Sequence, residues 1–546
     1  MPIRARAAQP APAADPQRDA AVTSNRALAK AGLLVSGAFL ISRVLGWLRY
    51  VVMVDIFSAG RDLDAFLAAF RLPDLMFQLV AAGALSSALI PIAAGLIAGG
   101  EEARTWRVVS TVTNLMLAAL AVLAAIILVA APWIMAAITP GFDAQKLEKT
   151  VELTRIMLLS PIFLALGAVA TSILNAQGRF SASVVAPIVY NLAIIGGTIF
   201  LSAPLGVTGL AVAVVIGSIG HLLVQIPALL RLGYRHDFKI DLSDPQARQA
   251  LLLMAPRAIG LGVTQITFVV VTAIASTFPD GALSAFQLAF ILLQIPLGVI
   301  GVPLGVVVLP ALSREAAVGN TAEFAGLVSR ALRLLLFVML PIAGLGMVLR
   351  REVVGVLFGG GGTSPATLEL IEATFVTFLL GLGAHAMIAV LARAFYATQD
   401  TRTPVAAGIV SVVFNTSLAF LFSVVGSLGL PGIGLAIAIG AWIEAAILIV
   451  LLRRRTPELA FRPIALVAAR SLGATVAASG VAFAVQAGLM LIGDPEPSWL
   501  ALVVRMVVVA GIGIATYAAL AVALRIPELP SIVGVMADLL RRPRRA

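Results

Sequence analysis

The sequence predicts an all-α integral membrane protein of about 14 transmembrane helices, arranged as two six-helix lobes in parallel repeat plus two additional C-terminal helices. Three observations carry this reading. The 546 residues are 60% hydrophobic and only 12% charged, too little polar surface to cover a soluble globule of that length. The apolar residues form runs long enough to cross a bilayer, which takes about 20 residues per helix. The chain also resembles itself at an offset near 220 residues.

Residues 1–29, rich in Ala, Pro and Arg, lack hydrophobic periodicity and read as a disordered cytoplasmic N-terminal tail. Breaks at charged or Gly/Pro-rich turns then divide the chain. The first lobe, 30–232, takes spans at 30–57, 63–97, 107–137, 149–175, 182–203 and 206–232. The second, 248–453, follows with 248–278, 281–312, 323–348, 365–397, 403–425 and 430–453, and 463–492 and 498–524 are the two added helices. Residues 525–546 form a basic cytoplasmic tail. With the N-terminus inside, the inner segments hold 24 Lys and Arg residues. The outer loops hold Arg61, Lys146, Lys149, Arg350 and Arg351, so the positive-inside rule puts both termini in the cytoplasm.

The repeat is carried by Ala65-Phe66 with Phe70 recurring as Ala285-Phe286 with Phe290. Ala176-Gln177-Gly178-Arg179 is echoed by Ala397-Thr398-Gln399-Asp400-Thr401-Arg402. Six spans is an even offset, so the halves point the same way and enclose a midplane cavity suited to alternating access.

The net charge of +11 is distributed between apolar runs, which argues against nucleic acid as a partner. Without cysteine, the chain forms no disulfides and no thiol metal sites. His221 and His385 are isolated, so no metal site is indicated, and no cofactor is expected. Gly359 to Gly362 read as a flexible turn rather than a phosphate loop, and no catalytic constellation recommends an enzyme.

Charges inside apolar spans are costly, about 2.5–3.5 kcal/mol each at mid-helix, and mark candidate sites. Arg43 and Arg49 lie in the first span with Asp55; Asp64, Arg71 and Asp74 follow in the second. Arg suits an anionic ligand because its planar fork grips phosphate bidentately and keeps its charge when desolvated. Either Asp64 holds one of the pair Arg43 and Arg49 while the other meets substrate, or both pair with Asp55 and Asp64. Arg257, in the counterpart of the first span, lines the same cavity or snorkels to the interface. Glu372 and Glu444 are lone span carboxylates that could take up a proton. Asp400 either caps a helix or binds a coupling cation with Thr416.

Ser42-Arg43-Val44-Leu45-Gly46, Arg49, Asp64-Ala65-Phe66, Phe70-Arg71-Leu72-Pro73-Asp74-Leu75 and Gly83-Ala84-Leu85-Ser86, with Phe395-Tyr396-Ala397-Thr398-Gln399-Asp400-Thr401-Arg402-Thr403-Pro404, resemble the MurJ/MviN family of lipid II flippases over about residues 30–525. The resemblance implies a cationic cavity between two lobes, a groove beside 463–524 for a polyprenyl tail, and a bacterial cytoplasmic membrane location. Its substrate would be the undecaprenyl-diphosphate-linked peptidoglycan precursor, its surroundings the membrane lipids and the cell-wall synthesis machinery. Arg43, Arg49 and Asp64 match functionally important family positions; Phe77, Ala82 and Ile291 stand where the family carries polar residues. Alternatives are a flippase for another polyprenyl-linked glycan, a cation-coupled multidrug exporter and a non-transporting scaffold.

Overall fold

The computed structural model describes residues 16–79, 84–492, 498–530 and 534; for 16–36, 84–88, 253, 255–264 and 492 it describes the backbone alone. The helices are α1 (Pro16–Phe57), α2 (Arg61–Phe77), α3 (Ala84–Ala98), α4 (Glu102–Ile138), α5 (Ala144–Met157), α6 (Ser160–Ala176), α7 (Phe180–Leu205), α8 (Val207–Leu223), α9 (Ile226–Leu230) and α10 (Pro245–Ser276). They continue as α11 (Ala282–Pro296), α12 (Val302–Ala317), α13 (Thr321–Val348), α14 (Arg350–Phe358), α15 (Pro365–Leu379), α16 (Leu382–Ala397), α17 (Arg402–Phe420), α18 (Gly429–Arg455), α19 (Phe461–Ile492) and α20 (Trp499–Ala523). No strand occurs among the described residues.

Eleven helices, some built from two consecutive segments, are long and apolar enough to cross a membrane, and α15 with α16, bent by 46°, makes a twelfth. The expected span 248–278 falls on α10, one helix from Pro245 to Ser276, and 63–97 falls on α2 and α3, with 80–83 outside the described residues; the full count of fourteen apolar spans is not reached among those described. Lipid exposure is written on the surface: Trp133 is 70% and Phe200 76% exposed, which only an apolar surrounding tolerates in such numbers. The helix α1 begins at Pro16, so the second half of the expected 1–29 tail is helical, while 1–15 lies outside the described residues. The stretch after 524 also begins in order: Ile526 is buried and Glu528 pairs with Arg333 at 3.2 Å.

Local chemistry sets the breaks. Between Pro296 and Pro303, neither of which donates a backbone N–H, the helix widens into a π turn at Leu297–Gly301. Asp143, Asp244, Asn320, Ser364 and Ser498 each cap a helix by accepting a first-turn N–H. The Gly359–Gly362 run is a packing surface and not a free turn. Gly361 lies against the carbonyls of Val54 and Asp55, Ser58 Oγ donates to its carbonyl, and Ala59 N donates to Thr363 Oγ1 at 3.1 Å.

One end of the bundle is tied together by charge. Asp64, on α2, is 2% exposed and accepts from Lys146 Nζ on α5 at 3.0 Å, Gly281 N at 2.8 Å, Ser284 N at 2.7 Å and Ser284 Oγ at 2.6 Å. Lys146 also donates to Asp280 at 2.7 Å, while Arg61 forks Asp143 with two bonds of 2.6 Å and reaches Asp280 at 3.3 Å. Gly281 has φ +94°, and a Cβ there would sit 2.7 Å from the Ala59 carbonyl, so glycine alone lets the α11 N-terminus close on the α1–α2 turn. The expected partnership of Asp64 with Arg43 or Arg49 is therefore corrected: its cation is Lys146.

Losing one member of a buried, hydrogen-bonded ion pair costs about 3–5 kcal/mol because the other charge is stranded. Lys146→Met should lower the thermal midpoint of the purified protein by several degrees, and adding Asp64→Asn should restore part of it. An unchanged midpoint in Lys146→Met would refute the clamp.

The Arg61 fork, with the Lys146 backbone N–H, holds the Asp143 carboxyl well below the usual carboxylate range. A carboxylate so depressed stabilises the fold in full above its unfolded value of about 4 and loses that contribution as pH falls toward its folded value. Thermal midpoints should thus hold level down to about pH 5 and drop below about pH 4. Asp143→Asn should give a flatter acid limb; an identical limb in the variant would contradict the assignment.

Candidate functional site: a cationic wall between α1, α2, α7 and α11

Arg43 and Arg49 are six residues apart on α1, which turns them about 120° from one another. The structure sends them to different neighbours. Arg43 lays its guanidinium over the Phe39 ring, 5.5 Å from the centroid, and against the π turn, where a Cβ on Gly298 would come within 2.6–2.7 Å of its atoms. Arg49 lies 4.9 Å from the Tyr50 ring and 6.0 Å from that of Tyr190 on α7. Its buried Nε has no hydrogen-bond partner among the described residues. Cation–π contact with two tyrosines offsets part of the desolvation and leaves Nε without an acceptor.

Arg71 joins three helices. From α2 its Nε donates to Thr272 Oγ1 on α10 at 3.2 Å, its Nη2 to Gln287 Oε1 on α11 at 3.0 Å, and the Phe268 ring lies 5.3 Å away. Asp74, one turn further along α2, exerts its field on both Arg71 and Arg49. None of Arg43, Arg49 and Arg71 has an ion pair within 4.0 Å among the described residues. Asp55, offered by the sequence as a partner for α1's arginines, is instead exposed, its Oδ1 against Gly360.

The positions that depart from the family pattern are apolar in the structure too. Phe77 is half-buried against the core, and Ile291 is 8% exposed within α11. Beside Ile291, Phe290 packs with Phe268, Phe286 and Phe378 at centroid distances of 5.4–6.1 Å, an aromatic block next to Arg71. Ala82 lies outside the described residues, as does the side chain of Arg257, whose backbone belongs to α10.

The coupling-ion candidates do not assemble. Asp400 caps α17, accepting from Arg402 N at 2.9 Å, Thr403 N at 3.0 Å and Thr403 Oγ1 at 2.5 Å, and it pairs with Arg455. Thr416 sits sixteen residues on, about 24 Å along the helix, and bonds Asn415 Oδ1 at 3.3 Å. Glu372 is not alone but lies 3.6 Å from Arg351 and 4.0 Å from Arg350. Glu444, on α18, lies against α17 beside Gly408. No group of three or more His, Asp or Glu able to hold a metal occurs among the described residues.

Sequence reasoning missed Lys146, which reads as one more loop charge, and Tyr190, Thr272 and Gln287, which carry no signal in an apolar span. It also missed Glu352, fully buried on α14 and held by Gln486 of α19 at 2.7 Å. That bond seats α19 beside a lipid-facing groove of about 760 Å³, lined by Leu340, Met347, Trp442, Leu472, Val476 and Phe483. No residue of α20 lines it, so the groove runs along α13 and α19 rather than between the two added helices.

A family model described as "Lipid II flippase MurJ" matches residues 53–492. A lipid II flippase MurJ of Burkholderia cenocepacia is 31% identical over 436 residues, covering 78% of this chain and 84% of its own. A probable lipid II flippase MurJ of Rhizobium tropici is 33% identical over 440 residues, covering 78% and 81%. Among solved structures, a lipid II flippase MurJ in an inward closed conformation superposes with a TM-score of 0.75 at 22% identity, covering 90% of this chain and 99% of that one. An inward-facing multidrug resistance MATE transporter does so at 0.63 and 18%, covering 76% and 95%. The solved structures share the fold, and the extent of the sequence match decides the family: the chain belongs to the MurJ family of lipid II flippases.

Proposed function

We propose that this protein carries lipid II across the bilayer by alternating access, gripping its diphosphate with Arg43, Arg49 and Arg71. The observation that carries the reading is the buried Nε of Arg49, which has no acceptor among the described residues, with Arg49 and Arg71 both in the field of Asp74. Leaving such a group empty is costly, and a diphosphate is the anion whose geometry its fork matches. The polyprenyl tail stays in lipid along the α13–α19 groove, since drawing it through a polar cavity would cost about 0.8 kcal/mol per CH₂ exposed.

In this reading 30–232 and 248–453 act as the two rocking lobes, with 463–524 as the appendage that holds the tail. The Arg61–Asp280 end faces outward, both termini lie in the cytoplasm, and the Asp64 clamp is the outer gate. The protein works by changing shape and not by covalent catalysis, and delivers its cargo to the cell-wall synthesis machinery. The aromatic block around Phe290 and the apolar Phe77 favour, as a second reading, another polyprenyl-diphosphate glycan with a less polar head. Glu372, Glu444, Asp400 and Thr416 then play no direct part in holding the diphosphate.

In a host depleted of its own lipid II flippase, the wild-type chain should restore growth and Arg49→Ala should not, with Arg49→Lys intermediate because lysine lacks the planar fork. Full rescue by Arg49→Ala would sink the diphosphate role; failure of the wild type, with the protein in the membrane, would favour the second glycan. Glu372→Gln and Glu444→Gln should rescue as well as wild type, whereas a cation-coupled drug exporter would lose its transport with one of them.

A further inference from the structure

The turn after α6 and the turn after α16 are one backbone built with opposite charges. Each reverses through a residue of positive φ, Gly178 at +68° and Gln399 at +60°. In each, the next residue donates its N–H to the carbonyl five residues back, Arg179 to Leu174 at 2.8 Å and Asp400 to Phe395 at 3.0 Å. Arg179 and Asp400 are thus equivalent, and they stand 221 positions apart, the offset of the sequence repeat.

Their surroundings differ in one respect. Asp400 meets Arg455 at the end of α18 and is neutralised. Arg179 shares a cavity of about 610 Å³ with Arg231, at the end of α9, and no acidic residue lines it. Neither guanidinium has a hydrogen bond or ion pair among the described residues. Arg179 also leaves the first turn of α7 without a side-chain cap. Phe180, Val185, Val224 and Pro227 give the lining an apolar side, and Ser181 adds a hydroxyl.

Two guanidinium groups around one cavity without a counter-charge repel, and the second half of the chain shows that a salt bridge fits this geometry when the turn carries an acid. We propose that the Arg179–Arg231 cavity is a binding site for a phosphate-bearing anion, either an anionic phospholipid headgroup or free phosphate. The forks supply bidentate donors, the first-turn N–H groups of α7 add to them, and Phe180 and Val185 continue the surface toward acyl chains. The site is separate from Arg49 and does not depend on what that residue holds.

The purified full chain in neutral detergent tests this, with retained dioctanoyl phosphatidylglycerol counted by native mass spectrometry against a diacylglycerol control, and with inorganic phosphate as the second probe. Arg179→Asp rebuilds the Asp400–Arg455 arrangement with Arg231. It should fold with an unchanged or higher thermal midpoint while binding at least about tenfold more weakly. Arg231→Gln should also weaken binding and carries the test if Arg179→Asp fails to fold. Loss of phosphatidylglycerol that phosphate does not compete assigns the site to a headgroup; binding and competition by inorganic phosphate assign it to the free anion. Equal binding of both probes by wild type and both variants, or none by wild type, overturns the proposal.

Discussion

Asp64 carries a charge in a place that water does not reach, and the Arg61 end of the bundle is arranged around satisfying it. Lys146 supplies the opposite charge from α5, while Gly281 and Ser284 supply three further donors from the start of α11. Each donor comes from an element distant in sequence, so the carboxylate is satisfied only when α2, α5 and α11 are together. Ser284 is the position that corresponds to Asp64 one repeat later, 220 residues on, so the two halves meet through equivalent places. Any motion that parts them must strand Asp64 or bring it water.

The three arginines obey a different balance. Arg43, Arg49 and Arg71 are held by rings, a glycine face and neutral acceptors, with Asp74 close to two of them. Neutral partners keep the guanidinium groups in position without cancelling their charge. Along the outside, the α13–α19 groove offers an apolar path whose seat is the buried Glu352–Gln486 bond.

Hydropathy made most of the fold legible, because a bilayer leaves the backbone no option but helix and writes its thickness into the runs. The span around Pro73 and Pro91 resisted it, since a proline within a run alters the helix without altering its hydropathy. In the site, Arg43 and Arg49 could be found because charge is rare in a span. Their partners could not: Tyr190 and Gln287 look ordinary, and Asp64 finds Lys146 across 82 residues of sequence. Pairing Asp400 with Thr416 failed for a local reason, as sixteen helical residues separate them. Lone acids proved lone only in sequence, Glu372 having Arg351 at 3.6 Å.

The clamp is most directly tested by a distance. The chain has no cysteine, so spin labels can be placed singly at Asp62→Cys and Thr277→Cys, both exposed at the Arg61 end on α2 and at the end of α10. Pulsed electron resonance on the reconstituted protein should give one narrow, short distance, and adding Lys146→Met should broaden it and shift it to longer values. The same narrow distribution with and without Lys146 would contradict the claim that the Asp64 cluster holds this end shut.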